Sequence, residues 1–97
     1  MSKGYWVAVY HSIDDAEKFA AYIELASPAI AKGGGKFIAR GVASQVYEHG
    51  ILERTTIIEF ESVQAAIDTH DSPEYQESLV ALDGAITRDL RIVAGVE

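Results

Sequence analysis

The chain contains no cysteine, which excludes disulfide bonds, thiolate catalysis and metal sites built on cysteine. Basic residues are also scarce: 8 lysines and arginines stand against 15 acidic residues, giving a net charge of −7. Because the phosphate backbone of nucleic acids attracts the opposite charge, we expect no nucleic-acid partner. No run of about 18 apolar residues occurs, so we expect no membrane partner either.

The N-terminal sequence lacks the apolar run of a signal peptide. Together with the lack of cysteine, this favours a cytoplasmic location. The length of 97 residues predicts one domain covering residues 1–97. Hydrophobic residues make up 48% of the chain, which is enough to form a core.

Hydrophobic periodicity predicts the order strand, helix, strand, strand, helix, strand. Pro28 is expected to kink the first helix or split it near Leu25–Ser27. The second helix is expected in two parts, capped by Ser62 and by Ser72, with an apolar stripe that reaches Ile86. The predicted bounds are Lys3–His11 (strand), Asp15–Lys32 (helix), a second strand from Lys36 extended by residues 45–48, Arg54–Phe60 (strand) and Leu90–Val96 (strand).

Three successive glycines, Gly33 to Gly35, separate the first helix from the second strand. One of them is expected to adopt the left-handed conformation that closes a helix. Strict alternation after them would place Phe37 and Ala39 on one face of the strand, and Ile38 and Arg40 on the other.

With right-handed crossovers this order gives an α+β fold, a ferredoxin-like βαββαβ protomer. Its four-stranded, antiparallel-type sheet has the order 4-1-3-2 with the helices on one face, and we expect the first strand to lie parallel beside the third. The first strand is apolar on both faces, with Val7 and Val9 on one and Trp6 and Ala8 on the other. A second copy packed on the helix-free face would cover that surface, which predicts a homodimer.

Short motifs occur in order along nearly the whole chain: Gly4-Tyr5-Trp6, Tyr22, Gly34-Gly35-Lys36-Phe37, Arg40-Gly41, Glu48, Thr56-Ile57-Ile58-Glu59-Phe60 and Ser72-Pro73-Glu74-Tyr75-Gln76. Together they resemble the bacterial family called domain of unknown function 1330, in the dimeric α+β barrel superfamily. The resemblance implies a homodimer whose paired sheets form a barrel, and it implies no established reaction. Within the wider superfamily some relatives are cofactor-independent oxygenases, isomerases or dehalogenases, and others bind haem; this analogy concerns the fold.

The chain also departs from that family. Members often carry an arginine in the last helix, where this chain has Ala81-Leu82-Asp83. If that arginine helps to hold an anion, this chain has lost or changed its ligand.

Arg40 is the leading candidate for a ligand contact, since a guanidinium on a well-covered strand needs a partner. One interpretation is a fork that binds the carboxylate or enolate of a small ligand. The alternative is an ion pair with Glu59 or with Glu48. A desolvated Glu59 could instead act as a catalytic base.

His11, at the end of the first strand, is a candidate general base. Trp6, Tyr22 and Tyr75 are candidate ligand-binding residues, with core packing as the alternative. The three histidines lack the spacing of a metal set, so we expect no metal, and nothing in the sequence calls for a cofactor.

We therefore expect a protein that handles a small organic molecule, for example a carboxylate, in a cleft beside the sheet. Two hypotheses remain open: a cofactor-free enzyme that acts by acid–base chemistry, and a non-catalytic binding or interaction module.

Overall fold

A computed structural model describes residues 2–97. One four-stranded sheet has the order β2-β3-β1-β4, which confirms the predicted order 4-1-3-2. The elements are β1 (Gly4–Ile13), α1 (Ala16–Lys32), β2 (Lys36–Val42), β3 (Arg54–Phe60), α2 (Val63–His70), α3 (Pro73–Leu82) and β4 (Ile86–Ala94).

Each neighbouring pair of strands is antiparallel, so the expectation that β1 runs parallel to β3 is wrong. The connections explain the direction. A right-handed crossover through α1 makes β1 and β2 parallel, and the hairpin connection reverses the chain between β2 and β3. The strand lying between β1 and β2 must therefore oppose both.

The molecule has two layers, and its Cα atoms span 37 × 34 × 15 Å. Alternation along β1 points Trp6, Ala8 and Tyr10 toward the helices. They meet the apolar stripe of α1, which includes Tyr22, Ala26 and Ile30. Burial of these faces against each other forms the hydrophobic core.

Helix α1 is continuous across Pro28, so the predicted split of this helix does not occur. Asp15 begins the helix, because its side chain accepts hydrogen bonds from the backbone N–H groups of Glu17 and Lys18, both at 3.1 Å. Pro28 is exposed, and packing of the buried stripe offsets the loss of one backbone donor.

The glycine-rich junction joins α1 to β2 with very little space. Gly34 has φ +86°, so it supplies the left-handed residue that was predicted. A Cβ atom on Gly35 would lie 2.6 Å from Ile30 Cγ2 and 2.8 Å from Phe60 Cζ. The absence of a side chain at residue 35 therefore lets β2 start directly against the core.

Strand β2 departs from the predicted pattern in two ways. A bulge between Phe37 and Ala39 shifts the register of the pairing with β3. Phe37 lies opposite Ile58 and Arg40 lies opposite Thr56, and both of these β3 residues face the helices. Phe37 and Arg40 therefore share a face, contrary to strict alternation. Residues 45–48 do not extend the strand; they belong to a loop closed by the Ala43 N–H donating to the Glu53 carbonyl at 3.0 Å.

Strand β4 starts at Ile86, four residues earlier than predicted. Asp83 and Gly84 both have left-handed backbones, with φ of 45° and 69°, and they end α3 after Leu82. Ile86 therefore belongs to the strand, and the apolar stripe predicted for the second helix is too long by one turn.

No helix covers the second face of the sheet in the part of the chain that the structure describes. Strand pairing places these side chains together on that face: Tyr5, Val7, Val9, Ile57, Glu59, Asp89, Arg91 and Val93. Val9 and Val93 are 39% and 50% exposed. Within residues 2–97, no helix is long and apolar enough to cross a membrane.

Candidate anion-binding cleft

A small cavity of about 20 Å³ lies between α1 and the helix-facing side of the sheet. It has room for one or two water molecules, since one water-sized sphere needs about 10–15 Å³ by this measure. Its lining is Trp6, Ala8, Tyr10, Tyr22, Ile23, Ala26, Ser27, Ile30, Phe37, Arg54, Thr56, Ile58 and Arg88. The lining includes two arginines and no acidic residue.

Arg88 is the centre of the cleft's polar network. Its register partner on β1 is Tyr10, so its side chain enters the helix-facing layer in phase with Leu90 and Ile92. The guanidinium Nη1 donates to Tyr10 Oη at 2.9 Å and to Tyr22 Oη at 3.2 Å. Nη2 donates to Tyr75 Oη at 3.0 Å.

The three phenols come from three different elements, β1, α1 and α3, and Arg88 comes from β4. Tyr22 and Tyr75 also share a hydrogen bond of 2.6 Å between their hydroxyl oxygens. The Trp6 ring packs against the ring of Tyr75 in an edge-on arrangement, with the two centroids 4.9 Å apart. Only the tertiary structure brings these groups together.

Burial raises the pKa of Tyr75 well above its ordinary value, with Tyr22 acting in the same direction. Burial also raises the pKa of Tyr10, although Arg88 opposes the shift. For Arg88, burial acts to lower the pKa, but the phenols of Tyr22, Tyr75 and Tyr10 raise it by more, so the net direction is upward. At neutral pH the cleft therefore holds a charged guanidinium among neutral hydroxyls.

Arg54 is the second cation, and it is only partly satisfied. It starts β3 and lies opposite Val42, in the same helix-facing phase as Thr56 and Ile58. Its Cζ lies 5.3 Å from the ring centroid of Phe19 and 6.0 Å from that of Tyr10. Its Nε is buried and has no hydrogen-bond partner in the described structure; leaving such a donor unpaired costs about 1–3 kcal/mol.

Neither cleft arginine forms an ion pair within residues 2–97. The ion pairs of that range join Lys18 to Asp83, Lys32 to Glu74, His70 to Asp71 and Arg91 to Asp89. Two uncompensated cations in a chain of net charge −7 make this cleft a local positive site that favours an anion.

The structure brings three of the predicted ligand-binding residues to the cleft. Trp6 and Tyr22 line the cavity, and Tyr75 bonds to Tyr22 and Arg88 behind it. Arg40 is exposed on β2, with its Cζ 4.6 Å from the ring centroid of the cavity-lining Phe37. It therefore lies beside the cleft rather than inside it, and its role as a ligand contact stays a prediction.

The predicted ion pair between Arg40 and Glu59 is wrong. Arg40 lies opposite Thr56 and Glu59 opposite Lys36, so the two side chains belong to different faces of the sheet. On the helix-free face, Glu59 accepts a hydrogen bond from the Tyr5 hydroxyl at 3.1 Å. The bulge in β2, which the sequence pattern did not predict, places Arg40 on the helix-facing side of the sheet.

His11 and Glu59, the predicted catalytic residues, do not enter the cleft. His11 is exposed, and Glu59 lies on the helix-free face. Their catalytic roles stay predictions. Among residues 2–97, no three histidine or carboxylate side chains gather as a possible metal site.

Sequence reasoning missed Arg54 and Arg88, the two charged groups of the cleft. Arg88 was hidden because the second helix was extended to Ile86, which left residues 87–89 outside the last strand. The signal was present: Ile86, Arg88, Leu90 and Ile92 alternate in one phase after Gly84. A charged residue inside an apolar strand phase indicates a partnered or functional site.

The fold and the cleft define a class: ferredoxin-like α+β proteins with a cleft between helix and sheet. Residues 3–96 match the family described as a domain of unknown function, DUF1330, and the chain belongs to that family. A comparison with curated proteins found no match.

Solved structures share the fold at low sequence identity. RPA0582, a protein of unknown function from Rhodopseudomonas palustris, is 18% identical with a TM-score of 0.77, covering 99% of this chain and 84% of its own. SnoaB, a cofactor-independent oxygenase from Streptomyces nogalater, is 13% identical with a TM-score of 0.62, over 100% and 96% of the two chains. A dimeric ferredoxin-like protein of unknown function from Bacteroides fragilis is 11% identical with a TM-score of 0.55, over 95% of each chain.

Proposed function

We propose that this protein binds a small organic acid in the cleft, with the acid group held by Arg54 and Arg88. The observation that carries the proposal is the buried, unpartnered Nε of Arg54 beside a second cation that has only neutral neighbours. A buried donor without a partner is costly and needs an explanation. A bound carboxylate would satisfy it and neutralise the local charge.

The chain contains an internal example of the expected geometry. On the sheet's other face, Arg91 holds the Asp89 carboxylate through Nε at 3.0 Å and through Nη2 at 2.8 Å. This two-point grip is the usual mode by which a guanidinium binds a carboxylate. Arg54 offers the same Nε donor with no acceptor.

The cavity's size restricts what can be buried. About 20 Å³ is room for one or two water-sized groups, so only the acid group would be buried and the remainder of a ligand would extend past Phe37. Arg40 would then stand at the mouth and add positive charge near an incoming acid.

A binding role is favoured over a catalytic one. The titratable groups of the cleft are two arginines and the tyrosines around Arg88, and a neutral phenol or a charged guanidinium cannot remove a proton from a substrate. His11 and Glu59, which could act as bases, lie away from the cleft. A cofactor-free enzyme remains the alternative, and it would require a base brought by the substrate or by a second copy.

We also propose that the protein is a homodimer that pairs through the helix-free face. Exposed or half-exposed apolar side chains, Tyr5, Val7, Val9, Ile57 and Val93, are contiguous on that face. Monomeric proteins rarely leave such a patch bare, and a two-fold axis that lies parallel to the sheet, between two copies, lets the same surface cover itself.

The sole tryptophan, Trp6, lines the cleft and therefore reports binding there. We expect acetate, propionate and similar acids to change its fluorescence saturably at pH 7. Arg54→Met should abolish the change, and Arg88→Met should weaken it strongly. Lys32→Met is the matched control, because it also removes one positive charge but from a side chain that is 73% exposed.

Circular dichroism checks that each variant is folded. Without ligand, Arg54→Met should melt no lower than wild type, because the substitution removes an unpaired buried donor. The proposal is overturned if no small acid perturbs Trp6, or if Arg54→Met binds as well as Lys32→Met.

A further inference from the structure

The hydrogen bonds between Arg88 and the three tyrosines of the cleft leave some phenolic protons unused. Three phenolic hydroxyls, Tyr10, Tyr22 and Tyr75, provide three protons. One proton forms the bond between Tyr22 and Tyr75. In all three cases the oxygen already accepts from Arg88, and an arginine cannot accept in return.

Two phenolic protons therefore have no acceptor among the hydrogen bonds of residues 2–97. One belongs to Tyr10, and the other to whichever of Tyr22 and Tyr75 accepts in their mutual bond. The Nε of Arg54 adds a third unused donor. Tyr10 and Arg54 line the same cavity, so the Tyr10 proton and the Arg54 Nε are both available to a ligand there. The proton of Tyr22, which also lines the cavity, joins them when Tyr75 is the donor in the mutual bond.

A simple carboxylate would use Arg54 and leave at least one hydroxyl without a partner. An acid with a further acceptor oxygen next to its carboxylate would use both kinds of donor. A 2-oxo group is such an acceptor and donates nothing. A 2-amino acid would instead place an ammonium group near two guanidinium groups, which repel it.

We infer that the cleft selects 2-oxo acids, with the carboxylate on Arg54 and the 2-oxo oxygen on the hydroxyl of Tyr10. This inference rests on the proposed function, because it presupposes that an acid binds in the cleft. It also gives Tyr10 a role: its oxygen accepts from Arg88, which leaves its proton free to donate to the ligand.

A matched series of three-carbon acids tests the selection on the unmodified protein. Pyruvate, propionate and L-alanine differ only at carbon 2, which carries an oxo group, hydrogen atoms or an ammonium group. Titrations that follow Trp6 fluorescence should give pyruvate binding roughly three- to tenfold tighter than propionate, the range of one added neutral hydrogen bond. L-Alanine should show no saturable binding.

Tyr10→Phe then assigns the preference to a hydroxyl. Pyruvate should weaken to the level of propionate, while propionate itself changes little, because it makes no use of that proton. Tyr47→Phe is the control, since Tyr47 is 77% exposed in the loop after β2 and should leave both affinities unchanged.

The outcomes separate this inference from the proposed function. Equal binding of pyruvate and propionate, both lost in Arg54→Met, overturns the selection and leaves the acid site intact. L-Alanine binding as tightly as pyruvate overturns it as well. If none of the three acids binds to the wild-type protein, both the inference and the proposed function are wrong.

Discussion

At the scale of single residues, Arg88 lowers the stability of the fold but supplies a positive charge to the cleft. Even a half-buried cation is costly unless acidic groups pair with it, and Arg88 has phenol oxygens instead. These oxygens accept hydrogen bonds from the guanidinium, but they do not neutralise its positive charge. The positive charge can therefore still attract an anion. An anion that binds the folded protein would also raise its free energy of unfolding by mass action.

The tyrosines around Arg88 predict how stability changes at alkaline pH. Burial raises the folded-state pKa of Tyr10 and Tyr75 above the ordinary value of 10.0. The unfolded chain then loses these protons first, so the free energy of unfolding should be constant below about pH 10 and fall as the pH rises through the folded-state values. Urea denaturation at pH 8 to 11 measures this slope.

Tyr75→Phe should reduce that alkaline slope, because one of the buried tyrosines that cause it is gone. The exposed Tyr47→Phe should not change it. A slope unaffected by Tyr75→Phe would mean that Tyr75 is as accessible to solvent in the folded protein as in the unfolded chain.

At the scale of elements, the junction between α1 and β2 is the tightest part of the fold. Gly35→Ala should lower the free energy of unfolding by about 1–3 kcal/mol, since its Cβ would overlap Ile30 and Phe60. Gly34→Ala should cost about 1–2 kcal/mol for a different reason, the left-handed backbone at φ +86°.

A double-mutant cycle separates these two causes. Phe60→Leu removes the ring atoms that meet residue 35, so it should partly offset Gly35→Ala, whereas it should add simply to Gly34→Ala. Thermal or urea unfolding measures both cycles. Additive costs in the Gly35→Ala/Phe60→Leu protein would contradict the steric explanation.

Element boundaries explain which predictions failed. The caps Ser62 and Ser72 and the strand Arg54–Phe60 were predicted correctly, because each carries a strong local signal. The end of α3 was misplaced because Asp83 takes a left-handed backbone, which aspartate does less often than glycine. The bulge in β2 depends on pairing with β3 and has no local signature.

For the whole molecule, the dimer makes the clearest prediction. Light scattering at micromolar concentration should give about twice the chain mass of 10.5 kDa. Ile57→Asp should convert the protein to a folded monomer, because its neighbours across the sheet are Val7 and Ala39 and an unpaired charge buried there is costly.

Val80→Asp is the matched control for that substitution. Val80 lies on α3 and is 77% exposed, on the helix side of the molecule, so the dimer should persist. A wild-type protein that stays monomeric at these concentrations would refute the dimer, and so would an Ile57→Asp variant that still pairs.

The sequence by itself determined the order of the elements, the sheet order and the family, since periodicity, caps and short motifs are local and survive without knowledge of contacts. It also indicated Trp6, Tyr22 and Tyr75 as candidates for a site. Only the tertiary structure decided what they surround. Arg54 and Arg88 are 34 residues apart on two strands that are not neighbours in the sheet, and their charge gains its meaning from burial beside phenols contributed by three other elements. Burial and mutual distance are properties of the packed chain, so no local pattern could have shown that the cleft is cationic.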